Sequence, residues 1–392
     1  MAAVIAGLAA LAAPTATSRG ATSLDLAYAL AIQPDGKLVV AGRSAFGGWR
    51  FALARYTGRG KLDPTFGTGG KVVTALGSHG YNWAAALAIQ PDGKLVAAGQ
   101  SGSDFAVGRF TARGRLDPAF GRGGGTLTGA LARYTTRGKL NRGFGRRGEL
   151  VTAFGSDSQA LAVAVQRDGK ILAAGTTFDG HRAKFALARY TADGRLDPRF
   201  GRGGKVVTTI GSWNEGTALA IQPDGKLVVA GEADDDFALA RYTADGRLDP
   251  SFGGGGTVVT NFGVRQDCRD CGYPSTDKAH AVAVQADGKI VAAGASDLSG
   301  RSGDKNCCFD DFALARYTAD GRLDASFGSG GKVLTQFADN AIVHSIAIER
   351  DGKIAAAGGG AGYFALARYT SAGKLDPTFG DRGRITTRFR GY

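Results

Sequence analysis

One unit, written over and over, constrains this chain more than any other feature. It reads ALAIQPDGKLVVAG, a variable loop, FALARYTADGRLDPSFGGGGTVVT, and a second variable loop. First halves begin near Leu30, Leu87, Val163, Leu219, Val282 and Ile346. Second halves carry Arg55, Arg109, Arg133, Arg189, Arg241, Arg316 and Arg368, so the stretch 129–152 is a half repeat without its first half. Copies of one supersecondary unit bury their apolar faces by stacking on each other, which narrows the choice to solenoids, propellers and arrays.

The segments of the unit select among these. Ala218 to Gln222 and Lys226 to Ala230 are short apolar runs joined by Pro223-Asp224-Gly225, where Pro fixes φ and Gly supplies a positive one. They predict a hairpin, strands a and b. Phe237 to Thr243 is strand c, Ala244-Asp245-Gly246 turns it back, and Thr257 to Thr260 supplies strand d. On strand c, Phe237, Leu239 and Arg241 point one way and Ala238, Ala240 and Tyr242 the other, so small residues oppose large ones and neighbouring units can interlock. Four antiparallel strands per unit give an all-β β-propeller of four-stranded antiparallel blades. A β-sandwich does not need the same unit so many times.

Six complete repeats plus one half repeat favour seven blade positions over six. The half repeat should form only two strands; in a six-bladed ring it would instead extend the second blade to six. Residues 1–20 open with a signal-like apolar segment, MAAVIAGLAALAAPTA, without a basic n-region, and 21–392 read as a single β-propeller domain.

The unit resembles the delta-60 repeat family of bacterial proteins over nearly everything from about residue 25 onward. Its first half is also similar to NHL and YVTN propeller repeats, which share the strand, DG turn, strand pattern. The resemblance implies a propeller, often exported, and supplies no catalytic residues.

The charge of +13 and pI of about 9.7 would favour anionic partners. Most Lys and Arg, however, fall at fixed positions of the repeat (DGK, ARY, GRL), which spreads the charge instead of clustering it for nucleic acid. Gly-rich strings such as Gly67 to Gly70 and Gly253 to Gly256 precede strands, not helix N-termini, and lack the Lys-Ser/Thr ending of a phosphate loop. No HExxH or GxSxG occurs.

The turn centred on Asp245 puts Arg241 opposite Asp249, and the spacing recurs as Arg55 with Asp63 and Arg189 with Asp197. A pair repeated in every blade is structural: it should orient the loop that carries Phe252. Cys268, Cys271, Cys307 and Cys308 share one repeat, in loops expected on one face, and read as a disulfide framework in an exported chain.

Individuality resides in the loops joining d to a and b to c. Trp49, Trp83, Trp213, His79, His181 and Tyr81 are assigned there, with acidic loops ending at Asp236 and Asp311. No cofactor is expected; Ca²⁺ at Asp234, Asp235 and Asp310 is a weaker metal reading. The leading function is an exported, secreted or cell-surface, non-enzymatic monomer that presents this face to a glycan, peptide or protein. Rival readings are a lyase or glycoside hydrolase acting through carboxylates of that face, and a purely structural secreted repeat protein.

Overall fold

A computed structural model gives the architecture. It describes residues 25–44, 49–74, 82–89, 95–101, 104–117, 125–128, 131–132, 149–150, 154, 158–179, 182–191, 195–263, 276–297, 310–337, 340–360 and 363–388. The first blade is β1 (Leu26–Ile32), β2 (Leu38–Ser44), β3 (Arg50–Tyr56) and β4 (Lys71–Thr74). The second is β5 (Asn82–Ile89), β6 (Leu95–Ser101), β7 (Asp104–Phe110) and β8 (Gly125–Thr128). The half repeat supplies β9 (Leu131–Ala132) and β10 (Glu149–Leu150). The third blade is β11 (Ser158–Val165), β12 (Ile171–Asp179), β13 (Arg182–Tyr190) and β14 (Lys205–Thr208). The fourth is β15 (Asn214–Ile221), β16 (Leu227–Ala233), β17 (Asp236–Tyr242) and β18 (Thr257–Thr260). The fifth is β19 (Asp277–Val284), β20 (Ile290–Ser296), β21 (Asp311–Tyr317) and β22 (Lys332–Thr335). The sixth is β23 (Ala341–Ile348), β24 (Ile354–Gly360), β25 (Tyr363–Tyr369) and β26 (Arg384–Thr387).

Each blade is an antiparallel meander of consecutive strands. Among the described residues β9 and β10 pair with each other as a separate two-stranded sheet, and the second blade keeps the order β5-β6-β7-β8. The half repeat therefore does not extend the second blade. First strands of neighbouring blades touch, β11 with β15, β15 with β19, β19 with β23, β23 with β1 and β1 with β5, so they form the inner ring.

The core lies between blades. Val229, Leu227 and Tyr242 of the fourth blade pack on Leu172, Phe185 and Leu187 of the third. Val40, Ala54 and Tyr56 of the first pack on Ala357, Phe364 and Leu366 of the sixth, which closes the ring with the layer used elsewhere. Stacking blades bury both sheet faces, so strands c are apolar on both sides.

Every complete blade carries a β-bulge at one position of its inner strand. The extra residues are Tyr28, Ala85, Leu161, Thr217, His280 and His344. The bulge brings a carbonyl of strand a over the glycine of strand b's AG pair: a Cβ on Gly231 would lie 1.7 Å from Glu215 O, and one on Gly42 would lie 1.9 Å from Leu26 O. That repeated glycine is thus fixed by backbone approach. The bulge also explains a difference from the sequence reading. Strand a of the fourth blade begins at Asn214, not Ala218, because the extra Thr217 breaks the period-two pattern upstream.

Candidate functional site

The DG turns and c to d turns emerge on one side of the ring, and the d to a and b to c connections on the other. The two sides differ in what holds them. On the turn side Arg241 Nε donates to Asp249 Oδ2 at 2.9 Å, and Lys226 Nζ reaches the same oxygen at 3.0 Å. The other Arg241 nitrogens donate to Ser251 Oγ at 2.9 Å and to the Ala319 carbonyl of the next blade. The guanidinium lies 4.6 Å from the centre of the Phe252 ring, and a Cβ on Gly321 of the next blade would meet that ring at 2.9 Å. Arg241 is therefore an inter-blade latch.

The same latch recurs. Arg55 Nε and Asp63 Oδ2 are 3.0 Å apart, as are Arg189 Nε and Asp197 Oδ2. Arg55 donates to the Ala112 carbonyl and Arg189 to the Ala244 carbonyl, each in the following blade. Arg368 of the last blade donates to Gly58 O of the first at 2.6 Å. The Asp63 carboxyl shows the balance of forces: burial alone would raise it, but hydrogen bonds from the Thr65 hydroxyl and amide, with Arg55 and Lys37 close by, bring it down to about 2. Repetition on this scale marks the turn side as structural.

Among the described residues the loop side shows no equivalent of this latch. Asp234 and Asp235 both have positive φ, 48° and 68°, in a two-residue turn between β16 and β17. The Asp234 carboxylate accepts from the amides of Ser212 at 2.8 Å and Trp213 at 2.9 Å, so it serves as a clamp on the d to a loop. The Asp235 carbonyl accepts from Asp277 N of the next blade at 2.6 Å. Held in this way, Trp213 is 40% exposed, with its ring edge on Phe178 of the preceding blade at 6.0 Å. Trp49 is half-buried, with the Arg43 guanidinium 4.2 Å from its ring centre.

Other sequence candidates fall differently. Trp83 is in β5, opposite Gln100, and not in a loop, because the inner strand starts upstream of the bulge. Asp236 begins β17 and accepts from Asn261 Nδ2 at 2.6 Å. Asp311 is the first residue of β21 and is buried, so it gives no exposed acidic sector there. Asp310 is half-buried, and burial followed by the Asp297 charge pushes its carboxyl up to about 6. Among the described residues Asp234, Asp235 and Asp310 do not gather into a metal cluster. His79, His181, Tyr81, Cys268, Cys271, Cys307 and Cys308 lie outside the described residues, as do Arg133 of the half repeat and Asn141, which stands there in place of the latch Asp.

A second feature of this side escaped the sequence reading. The bulge residues of the fifth, sixth and first blades form an arc on the inner ring: His280 and His344 have ring centres 5.5 Å apart, and His344 and Tyr28 5.1 Å. Arg43 continues the arc, 5.8 Å from the Tyr28 ring, toward Trp49. Burial holds His344 down to about 3, with Arg43 adding to the effect, and lowers His280 as well, with help from His344 and Lys278. Both imidazoles are neutral near pH 7. Burial likewise pushes the Tyr28 hydroxyl up to about 12, against the pull of Arg43. Beside the arc Lys278 Nζ bridges Glu215 at 2.5 Å and Glu232 at 3.2 Å across the fourth and fifth blades. The signal for the arc was present: bulky polar residues stand where other units carry Ala85, Leu161 or Thr217.

Comparisons with known proteins match these features to a family. The extracellular domain of BT4673 from B. thetaiotaomicron is similar in structure, with 12% identity, a TM-score of 0.46 and coverage of 95% of this chain. That coverage is only 47% of the other chain, so the present chain spans about half its length. A protein from Lactobacillus plantarum is 14% identical at a TM-score of 0.40, covering 89% and 83% of the two chains. PorZ, a surface component of the type-IX secretion system of Porphyromonas gingivalis, is 14% identical at a TM-score of 0.39, covering 89% and 47%. No curated protein matches the chain. A family model described as "Domain of unknown function (DUF5122) beta-propeller" matches residues 33–66, 90–120, 166–200, 222–252, 309–327 and 349–379. Five of the six matches begin just before a DG turn and all six end at the Phe of the repeat's second half, so the matched segments are β-propeller repeats of the delta-60 type.

Proposed function

We propose that the chain is an exported, non-enzymatic propeller that binds a glycan, peptide or protein on its loop side. The observation that carries this is the contrast between sides. The turn side spends its charged and aromatic groups on one latch repeated from blade to blade, while Trp213 on the loop side is 40% exposed and clamped by a local carboxylate. A rigid, partly exposed indole offers large contact area at little entropic cost, which is why such residues concentrate where partners dock. Export is supported by the apolar segment within residues 1–20. The test is a glycan array and peptide screen with the full chain, followed by Trp213→Ala. Loss of at least about tenfold in affinity for the ligand found is expected, a typical size for an anchoring aromatic. Unchanged affinity in Trp213→Ala and in Trp49→Ala would overturn the reading.

A further inference from the structure

The inner-ring arc holds polar atoms that the fold does not use. Nδ1 of His280, Nδ1 of His344 and Nε of Arg43 are buried and have no hydrogen-bond partner. Leaving a buried donor or acceptor unmade is costly, so three in one contiguous group leave room for a partner that the fold does not supply. All three lie close to the end of the inner ring that carries the b to c loops: the bulge is two or three residues into each inner strand, and Arg43 is the penultimate residue of β2.

The chemistry of the group is that of a receptor for an anion. Arg43 stands over the rings of Trp49 and Tyr28, 4.2 and 5.8 Å from their centres, and its buried Nε has no acceptor. Its edge N–H groups remain for in-plane donation, the geometry that suits a planar carboxylate. Each neutral imidazole adds one N–H donor and one acceptor, the acceptor suiting a hydroxyl on the same ligand. Lys278 is not the recognising cation, because Glu215 and Glu232 already neutralise it.

We propose that the arc of Arg43, Tyr28, His344 and His280 is a binding site for a small carboxylate-bearing ligand with hydroxyl groups, of the acidic-sugar class. The carboxylate pairs with the Arg43 edge and the hydroxyls with the two imidazoles. This proposal rests on the loop-side reading for access, and it names the ligand class for the axial part of that side.

The experiment titrates the full chain with D-glucuronate, D-glucose and inorganic phosphate, by calorimetry and by histidine ¹H–¹⁵N spectra. Glucuronate should bind and shift the His280 and His344 resonances, glucose should not bind, and phosphate should bind at least about tenfold more weakly for lack of planar pairing. Arg43→Gln should weaken glucuronate at least about tenfold, and Arg43→Lys nearly as much, because an ammonium keeps the charge without the fork. Arg247→Ala, an exposed change on the turn side, should leave binding intact. If Arg43→Gln unfolds, the lysine variant alone decides. The proposal is overturned if glucuronate does not bind, if glucose or phosphate binds as well, or if both histidines stay unshifted at saturation. Glucuronate binding alongside a failed Trp213 test would reject the outer rim and keep the arc; the reverse outcome would reject the arc alone.

Discussion

The hydroxyl of Tyr56 in the first blade donates a 2.7 Å hydrogen bond to Thr387 Oγ1 in the last, 331 residues away in sequence. Tyr242 makes the same bond to Thr208, Tyr317 to Thr260 and Tyr369 to Thr335, each reaching back to the preceding blade. The first and last blades are therefore joined by the contact that joins the third to the fourth, the fourth to the fifth and the fifth to the sixth, and among the described residues each blade keeps its own four strands. Tyr56→Phe should cost about 1 to 3 kcal/mol, since it strands a buried threonine hydroxyl. Hydrogen exchange should rise most in β3 and β26, whereas Tyr242→Phe should loosen β14 and β17. Equal loosening everywhere in both variants would show that closure is not local to these bonds.

The latch predicts an unequal pair of arginine substitutions. Arg241→Ala leaves the buried Asp249 with Lys226 as its remaining counter-charge and should cost about 3 to 5 kcal/mol. Arg241→Lys should recover little, because one ammonium cannot serve Asp249, Ser251 and the next-blade carbonyl while covering Phe252. In the third blade Arg199 stands where Ser251 stands in the fourth, so its latch lacks the hydroxyl. Arg199→Ser should stabilise by about 1 kcal/mol, the worth of one added hydrogen bond. Thermal melts of the three variants check both statements.

Stability should respond to pH through groups of opposite sign. The latch carboxylates Asp63 and Asp249 are lowered in the fold, Asp63 to about 2, so their contribution is present above the unfolded range near 4 and is lost as pH falls through the lowered values, about 2 for Asp63. Asp277 goes the other way. It is 1% exposed, and burial, reinforced by Asp236 and Asp297, pushes it up to about 6 despite hydrogen bonds from Ser296 and the Phe262 amide. Its contribution is present below about pH 4 and is lost as pH rises through about 6. Asp277→Asn should therefore be more stable than the parent at pH 8 and equal to it at pH 4. The amide can keep the cap, since Asn214 accepts from the Gly211 amide at the same position one blade earlier. A variant less stable at pH 8 would contradict the assignment.

What the sequence made legible follows the range of the interactions. Arg241 and Asp249 are eight residues apart in one hairpin, so a turn length sufficed to pair them, and the strand d limits Thr257–Thr260 followed from the same local pattern. The partner carbonyl of Arg241 at Ala319 belongs to the next blade, and only ring geometry supplies it. The arc of Tyr28, His280 and His344 was hidden for a related reason. A bulge shifts the alternation by one residue, and three blades must close before side chains so far apart in the chain can meet. Trp83 was misplaced through the same bulge, which conceals the start of its strand.

The division of the ring into a structural side and a recognition side is tested most directly by hydrogen exchange on the full chain, with and without the ligand found by screening. Protection is expected around Ser212 to Asn214, Ala233 to Asp236 and Arg43 to Arg50, with the DG turns at Pro34 to Lys37 and Pro223 to Lys226 unchanged. Protection centred on those DG turns, with the loop segments exchanging as before, would contradict the account.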